Sequence, residues 1–329
     1  MGMLPTPTSL SGRRAALAAL AIAGVALPLV GCGGDSPSST SGKTVVVTYS
    51  VLGAVVSELV GDAANVTVLM PNGIDPHDFE PSAKDIEAVN TADVVVANGL
   101  ELEESLEGAL DEAAAAGVTV FLAGDHTSIR AIGEGELPEE HADEEGGEHA
   151  GEADEHAHGV GSDDPHLWTS PAVMGDVVAA LVPVLAEAGI DVGSRGDDMV
   201  AEMAELDAEV ADVLKAIPAD ERKLVTGHES LGYFADQYGF TLVGAVVPSL
   251  SSQAEAAAGE IAELKELIEA EGVTVIFTEV GTPGDVVAAI ADETGAAVVE
   301  LATHNLPDDG TYRTFMLDLA NAVAAALSV

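Results

Sequence analysis

Four histidines, His77, His166, His228 and His304, lie far apart in the 329-residue chain, each in a short connection between a strand-like and a helix-like stretch. Neutral imidazole is a preferred ligand of Zn2+, and four protein ligands saturate its tetrahedral shell. One histidine in a loop is usually only solvated. Four in equivalent loops, two from each half of the chain, predict one ion held between the halves. A saturated shell leaves no position for an activated water, so the pattern predicts binding rather than catalysis.

The surroundings of each histidine favour a fixed loop. His77 sits in Met70-Pro71-Asn72-Gly73-Ile74-Asp75-Pro76-His77-Asp78-Phe79-Glu80-Pro81-Ser82, punctuated by three prolines, with a helix expected near Ser82. His166 lies in Asp164-Pro165-His166-Leu167-Trp168-Thr169-Ser170-Pro171, His228 follows Gly227, and His304 precedes Leu306-Pro307-Asp308. Glu279 and Glu300 are the carboxylates that could replace His304 as fourth ligand; each also reads as a strand-end residue with a packing or hydrogen-bonding role. A secreted zinc hydrolase, with three histidines, an open position and Glu229 or Glu279 as general base, is a rival reading. It lacks the His-Glu-x-x-His helix that such chemistry favours. A surface adhesin with a purely structural metal is another.

The elements needed to position these loops are visible as alternating short apolar runs and helical periods. Strands are expected at 45–49, 66–69, 93–97, 118–122, 223–226, 240–243, 273–277 and 297–301. Helices are expected at 52–60, 101–116, 171–188, 196–217, 230–238, 253–270, 284–294 and 312–327. Strands alternating with helices imply an α/β fold, with two lobes that each carry a mostly parallel sheet flanked by helices. In such sheets ligands gather beyond the carboxyl ends of the strands, where these loops lie. Met199, Met203, Leu206, Val210, Val213 and Leu214 recur at close to 3.6 residues, so the helix at 196–217 has one apolar face. It reads as a rigid backbone helix joining the lobes. The expected division is a signal peptide over 1–31, a tether over 32–43, an N-terminal lobe over 44–190, a linking helix over 191–221 and a C-terminal lobe over 222–329.

Composition excludes some partners. Fifty-seven acidic residues against 11 basic ones give a net charge of −46, which repels phosphate backbones, so no nucleic acid is expected. A solvated coat, for solubility or for life in salt, accounts for most of that charge. Cys32, the single cysteine, permits no intrachain disulfide and no cysteine-rich zinc site. It follows Arg13-Arg14 and an uncharged run from Ala15 to Gly31, shorter than the ~20 residues of a membrane span. Leu29-Val30-Gly31-Cys32 resembles a bacterial lipobox, which predicts a lipidated Cys32 and an extracytoplasmic protein anchored to the membrane. Ser11-Gly12-Arg13-Arg14 hints at twin-arginine rather than general export.

Residues 139–159 carry His141, His149, His156 and His158 among carboxylates, with no lysine or arginine. Such a segment is expected to be a disordered loop that collects Zn2+ weakly beside His166. The bland alternative is a solvated insertion with incidental histidines. His126 is solitary and receives no role.

Pro76-His77-Asp78-Phe79-Glu80-Pro81-Ser82, Asp164-Pro165-His166-Leu167-Trp168 and the stretch from Gly227-His228-Glu229-Ser230 to Gly239 together resemble the zinc- and manganese-specific substrate-binding proteins of ABC transporters, the ZnuA/TroA-like group of solute-binding family 9. The resemblance spans nearly the whole chain after the tether. It implies two α/β lobes bridged by a long helix, no enzymatic activity, Zn2+ as transported ligand with Mn2+ or Fe2+ as the alternative cargo, and coordination by His77, His166 and His228. Its implied partners are an ABC permease and its ATPase, served by a monomer. Members commonly place an aspartate where this chain has His304; a fourth imidazole favours Zn2+ over Mn2+, which prefers oxygen.

Overall fold

Valine-rich runs become strands because branched side chains suit a sheet covered on both faces. The computed structural model describes residues 42–133 and 161–328. In the N-terminal lobe β1 (Thr44–Tyr49), β2 (Asn65–Met70), β3 (Val94–Ala97) and β4 (Thr119–Leu122) form one parallel sheet in the order β2-β1-β3-β4. In the C-terminal lobe β5 (Lys223–Thr226) pairs with β6 (Thr241–Ala245), and β7 (Val275–Thr278) with β8 (Ala297–Glu300), again in parallel. Strand β5 runs beside β7.

The strands are connected through helices α1 (Ser50–Val60), α2 (Ala83–Thr91), α3 (Glu104–Ala116), α6 (Gly232–Tyr238), α7 (Ala258–Glu271) and α8 (Gly284–Thr294). Between the lobes lie α4 (Pro171–Glu187) and α5 (Arg195–Leu214), and α9 (Tyr312–Leu327) ends the chain. This is the expected two-lobe α/β fold. Helix α5 has 20 residues, hence a length of ~30 Å. It buries Met199, Met203, Leu206, Val210 and Leu214 against α4 and α9, while Val213 is only half-buried.

Two helices start three or more residues later than their periodicity predicts. Helix α3 begins at Glu104 rather than residue 101 because Leu100 and Glu101 take left-handed φ values of 58° and 61°. The buried Glu103 then folds back to accept bonds from the backbone N–H of Asn98 (2.8 Å) and Gly99 (3.2 Å). Helix α7 begins at Ala258 rather than 253, because Ser249 and Ser251 hydroxyls accept the backbone N–H two residues on, at 3.1 and 3.3 Å. Such local bonds compete with the helical ladder.

One apolar core runs through both lobes, from Val46, Leu52 and Val95 through Trp168 to Phe234 and Phe277. A smaller cluster, including Val225, Ile276, Leu264 and Ile290, packs α7 and α8 onto the C-terminal strands. The shared core fixes the relative placement of the loops at the strand ends. Parting the lobes would expose it, at ~25 cal/mol for each Å2 of apolar surface.

Candidate metal centre

Two of the four histidines are presented by the same tripeptide. In Asp75-Pro76-His77 and in Asp164-Pro165-His166 the aspartate Oδ1 accepts the histidine's own backbone N–H, at 3.0 and 2.9 Å. Proline fixes φ between them, so each imidazole leaves a short rigid turn. His228 follows β5 through Gly227, where an added Cβ would sit 2.1 Å from Thr282 Oγ1 and 3.1 Å from Glu279 Cγ. Glycine lets this backbone press against the Glu279 loop.

The rings converge. His77 Nε2 lies 3.4 Å from His166 Nε2, which lies 3.1 Å from His228 Nε2. The donor atoms of these three residues all fall within 4.8 Å of one another. Ligand nitrogens on a tetrahedral zinc with bonds of 2.0–2.1 Å stand ~3.4 Å apart, so the spacing matches an ion-binding cluster. His166 and His228 are buried, and His77 is half-buried at the opening.

His304 shares the pocket, its ring centroid 5.9 Å from that of His228 and 6.5 Å from that of His166. It stands outside the tight group of three. The Thr303 hydroxyl donates to Glu279 Oε2 at 2.5 Å and is therefore left to accept the His304 Nδ1 proton at 3.0 Å. That arrangement puts the free lone pair on Nε2, which is buried with no hydrogen-bond partner among the described residues. A bare buried acceptor costs stability unless something else occupies it.

Behind the nitrogens stand carboxylates, the arrangement that orients imidazole ligands. Asp164 Oδ1 lies 2.9 Å from His166 Nδ1, and Glu279 Oε1 lies 2.8 Å from His228 Nδ1 at an ion-pair distance without hydrogen-bond alignment. Glu279 also accepts from the backbone N–H of His228 at 3.1 Å and from the Ser230 hydroxyl at 2.8 Å. Every bond it accepts supports the site from outside. Glu300 is exposed at the end of β8.

Burial and charge set the protonation of this cluster. Burial, with the charges of His228 and His304 beside it, pushes His166 well below the usual imidazole value. Burial, with the charge of His228, lowers His304 against the pull of Glu279 and Asp75. His228 goes the other way: burial lowers it, but Glu279, Asp75 and Asp164 outweigh that and leave it raised. Burial alone would raise Glu279, yet His228, His304 and Thr303 hold it far below the ordinary carboxylate range. Of the three, His228 is thus the imidazole held above its ordinary value.

Asp75 went unnoticed in the sequence, although the repeated Asp-Pro-His was a usable signal. Its Oδ2 accepts the Ser252 hydroxyl at 2.6 Å, tying the His77 loop to the C-terminal lobe. Trp168, the one tryptophan of the chain, donates Nε1–H to Thr303 O at 2.9 Å, and its ring lies 5.3 Å from His166 and 5.5 Å from His304. His126 stacks on Phe121 at 4.5 Å and takes no part. Cys32, residues 32–41 of the expected tether and the histidines His141, His149, His156 and His158 lie outside the described residues; Lys43, at the tether's end, pairs with Asp93 at 2.8 Å.

Residues 45–326 match the family model described as zinc-uptake complex component A, periplasmic (ZnuA). The chain belongs to this family. It is similar to the high-affinity zinc uptake system protein ZnuA of Bacillus subtilis, 28% identical over 291 residues and 86% of either chain. It is similar also to the manganese-binding lipoprotein MntA of Halalkalibacterium halodurans, 25% identical over 281 residues, 83% of this chain and 84% of that one. Among solved structures, the periplasmic zinc-binding protein TroA of Treponema pallidum superposes with a TM-score of 0.70 at 24% identity, covering 88% of this chain and all of TroA. The family comprises metal-binding, substrate-binding proteins of ABC transporters, not enzymes. Relatives named for zinc and for manganese both occur, and among the described residues no helix is long and apolar enough to cross a membrane.

Proposed function

We propose that this protein captures Zn2+ outside the cytoplasmic membrane through His77, His166, His228 and His304 and delivers it to an ABC permease. The observation that carries the reading is the approach of three imidazole Nε2 atoms to 3.1 and 3.4 Å, the spacing of ligands on one ion. The partnerless Nε2 of His304 supplies the fourth donor after a small shift of its loop. An all-nitrogen shell favours Zn2+ over Mn2+. The manganese-binding relative supports Mn2+ as the rival cargo.

The lipobox-like Leu29-Val30-Gly31-Cys32 supports a lipid anchor on a monomer that serves the permease and its ATPase. His141, His149, His156 and His158 would collect metal near the site. Equilibrium titration of the metal-free protein with Zn2+ and Mn2+ tests the proposal. One equivalent of Zn2+ bound much more tightly than Mn2+ is expected, and His166→Ala should abolish that tight site. Equal or tighter Mn2+ binding, or tight zinc that survives His166→Ala, would refute it.

A further inference from the structure

A buried arginine stands one residue behind the metal ligands. Arg130 precedes the short antiparallel bridge between Ala131 and Asp163, and its backbone O accepts the N–H of Asp164 at 2.8 Å. Its side chain is 8% exposed, with Nη1 donating to Asp164 Oδ2 at 3.3 Å and Nε to Asp236 Oδ2 at 3.0 Å. Tyr233 closes the frame: its hydroxyl accepts the Arg130 N–H at 3.0 Å and donates to Asp164 O at 3.1 Å. Thus Asp164, itself fully buried, is held on Oδ2 by Arg130 while Oδ1 faces His166 Nδ1.

The opposite lobe leaves room for this pair. At Gly232, the first residue of α6, an added Cβ would lie 2.3 Å from Asp164 Oδ2 and 2.5 Å from Arg130 NH1. Any larger residue drives the carboxylate and the guanidinium from their places. The chain of contacts therefore runs from Asp236 and Gly232 in one lobe through Arg130 and Asp164 to His166 in the other.

We propose that Arg130 is a positioning residue for metal binding, which turns Asp164 so that its Oδ1 accepts the Nδ1–H of His166 and the Nε2 lone pair is left facing His77 and His228. The proposal rests on the metal-binding reading for its consequence, though not for its geometry. An imidazole without a fixed outer partner divides between tautomers, and part of its population then presents N–H to the ion.

The test uses the full chain with Arg130→Met, Arg130→Lys and Gly232→Ala. Two quantities are read: the tautomer of His166 in the metal-free protein by long-range proton–nitrogen NMR, and Zn2+ affinity by competition with a chelator. Arg130→Met is expected to mix the tautomers of His166 and to weaken zinc by about tenfold or more, in the range of outer-shell losses. Gly232→Ala, which keeps both charges and displaces them, should do the same. Arg130→Lys should restore part of each effect. An unchanged Nδ1-protonated His166 in Arg130→Met and Gly232→Ala overturns the proposal whatever happens to affinity. If the wild-type protein fails to bind Zn2+, the transport reading falls, while the tautomer measurement still decides the role of Arg130.

Discussion

The Ser252 hydroxyl donates a 2.6 Å hydrogen bond to the Asp75 carboxylate, joining loops 177 residues apart. Asp75 spends its other oxygen on the backbone N–H of His77, the one ligand at the opening. The C-terminal lobe therefore grips the outermost ligand through an intermediary. Asn72 adds a second grip, donating to Leu306 O at 2.9 Å and accepting from Leu306 N at 2.7 Å.

Loosening that grip should speed the loss of metal more than it slows capture. Bonds to charged groups are worth ~1.5–3 kcal/mol, so Ser252→Ala should raise the Zn2+ dissociation rate by roughly tenfold with the association rate within about twofold. A stopped-flow chelator chase reads both rates.

Acid should weaken binding, beginning above the ordinary imidazole pKa. Below its raised pKa, His228 carries a proton that zinc must displace, so affinity falls as pH drops through that raised value. His166 and His304, both lowered, add nothing until the solution is more acidic. Zinc titrations from pH 8 to 5 should show affinity declining by about tenfold per unit once His228 is protonated. Glu279→Gln removes the charge that raises His228, so the decline should start at lower pH, on top of a ~10–100-fold loss of affinity at neutral pH.

The role of His304 separates a saturated shell from an open one. His304→Ala should weaken Zn2+ by more than the ~10–100-fold typical of outer-shell changes without eliminating it, because three imidazoles remain. His304→Asp should narrow the preference for Zn2+ over Mn2+ by introducing an oxygen donor. Competition titrations with both ions measure the two effects.

Gly227→Ala should destabilise the fold itself. The new methyl meets Thr282 Oγ1 and the Glu279 stem, and overpacking of this kind costs ~1–3 kcal/mol. A lowered thermal midpoint in the metal-free protein, partly recovered by excess Zn2+, is the expected outcome.

Much of this was legible in the sequence for identifiable reasons. Val94-Val95-Val96 cannot be placed except in a sheet covered on both faces, and the α5 stripe of Met199, Met203 and Leu206 announces a buried helix face. His77 and His228 were visible because each follows a strand in a proline- or glycine-marked loop, and His166 because Pro165 and Pro171 bracket its loop. What stayed hidden depends on distant partners. Asp75 reads as a turn former until Ser252 is seen beside it, and Arg130 reads as a surface charge until Asp164 and Asp236 enclose it. The late start of α3 hides for a similar reason: Glu103 is an ordinary helix former, and only the amides of Asn98 and Gly99 recruit it for another task.

Ile132 is clasped to the backbone at 161–162, its N–H bonded to Ser162 O at 3.0 Å and its O accepting from Gly161 N–H at 2.9 Å. Two positions pinned together in this way set no fixed length for the sequence that joins them. The entropy of closing such a connection rises by only ~0.6 kcal/mol per doubling of length. The joining sequence can therefore be lengthened, shortened or exchanged, by natural variation or by an engineer, without renegotiating the clasp.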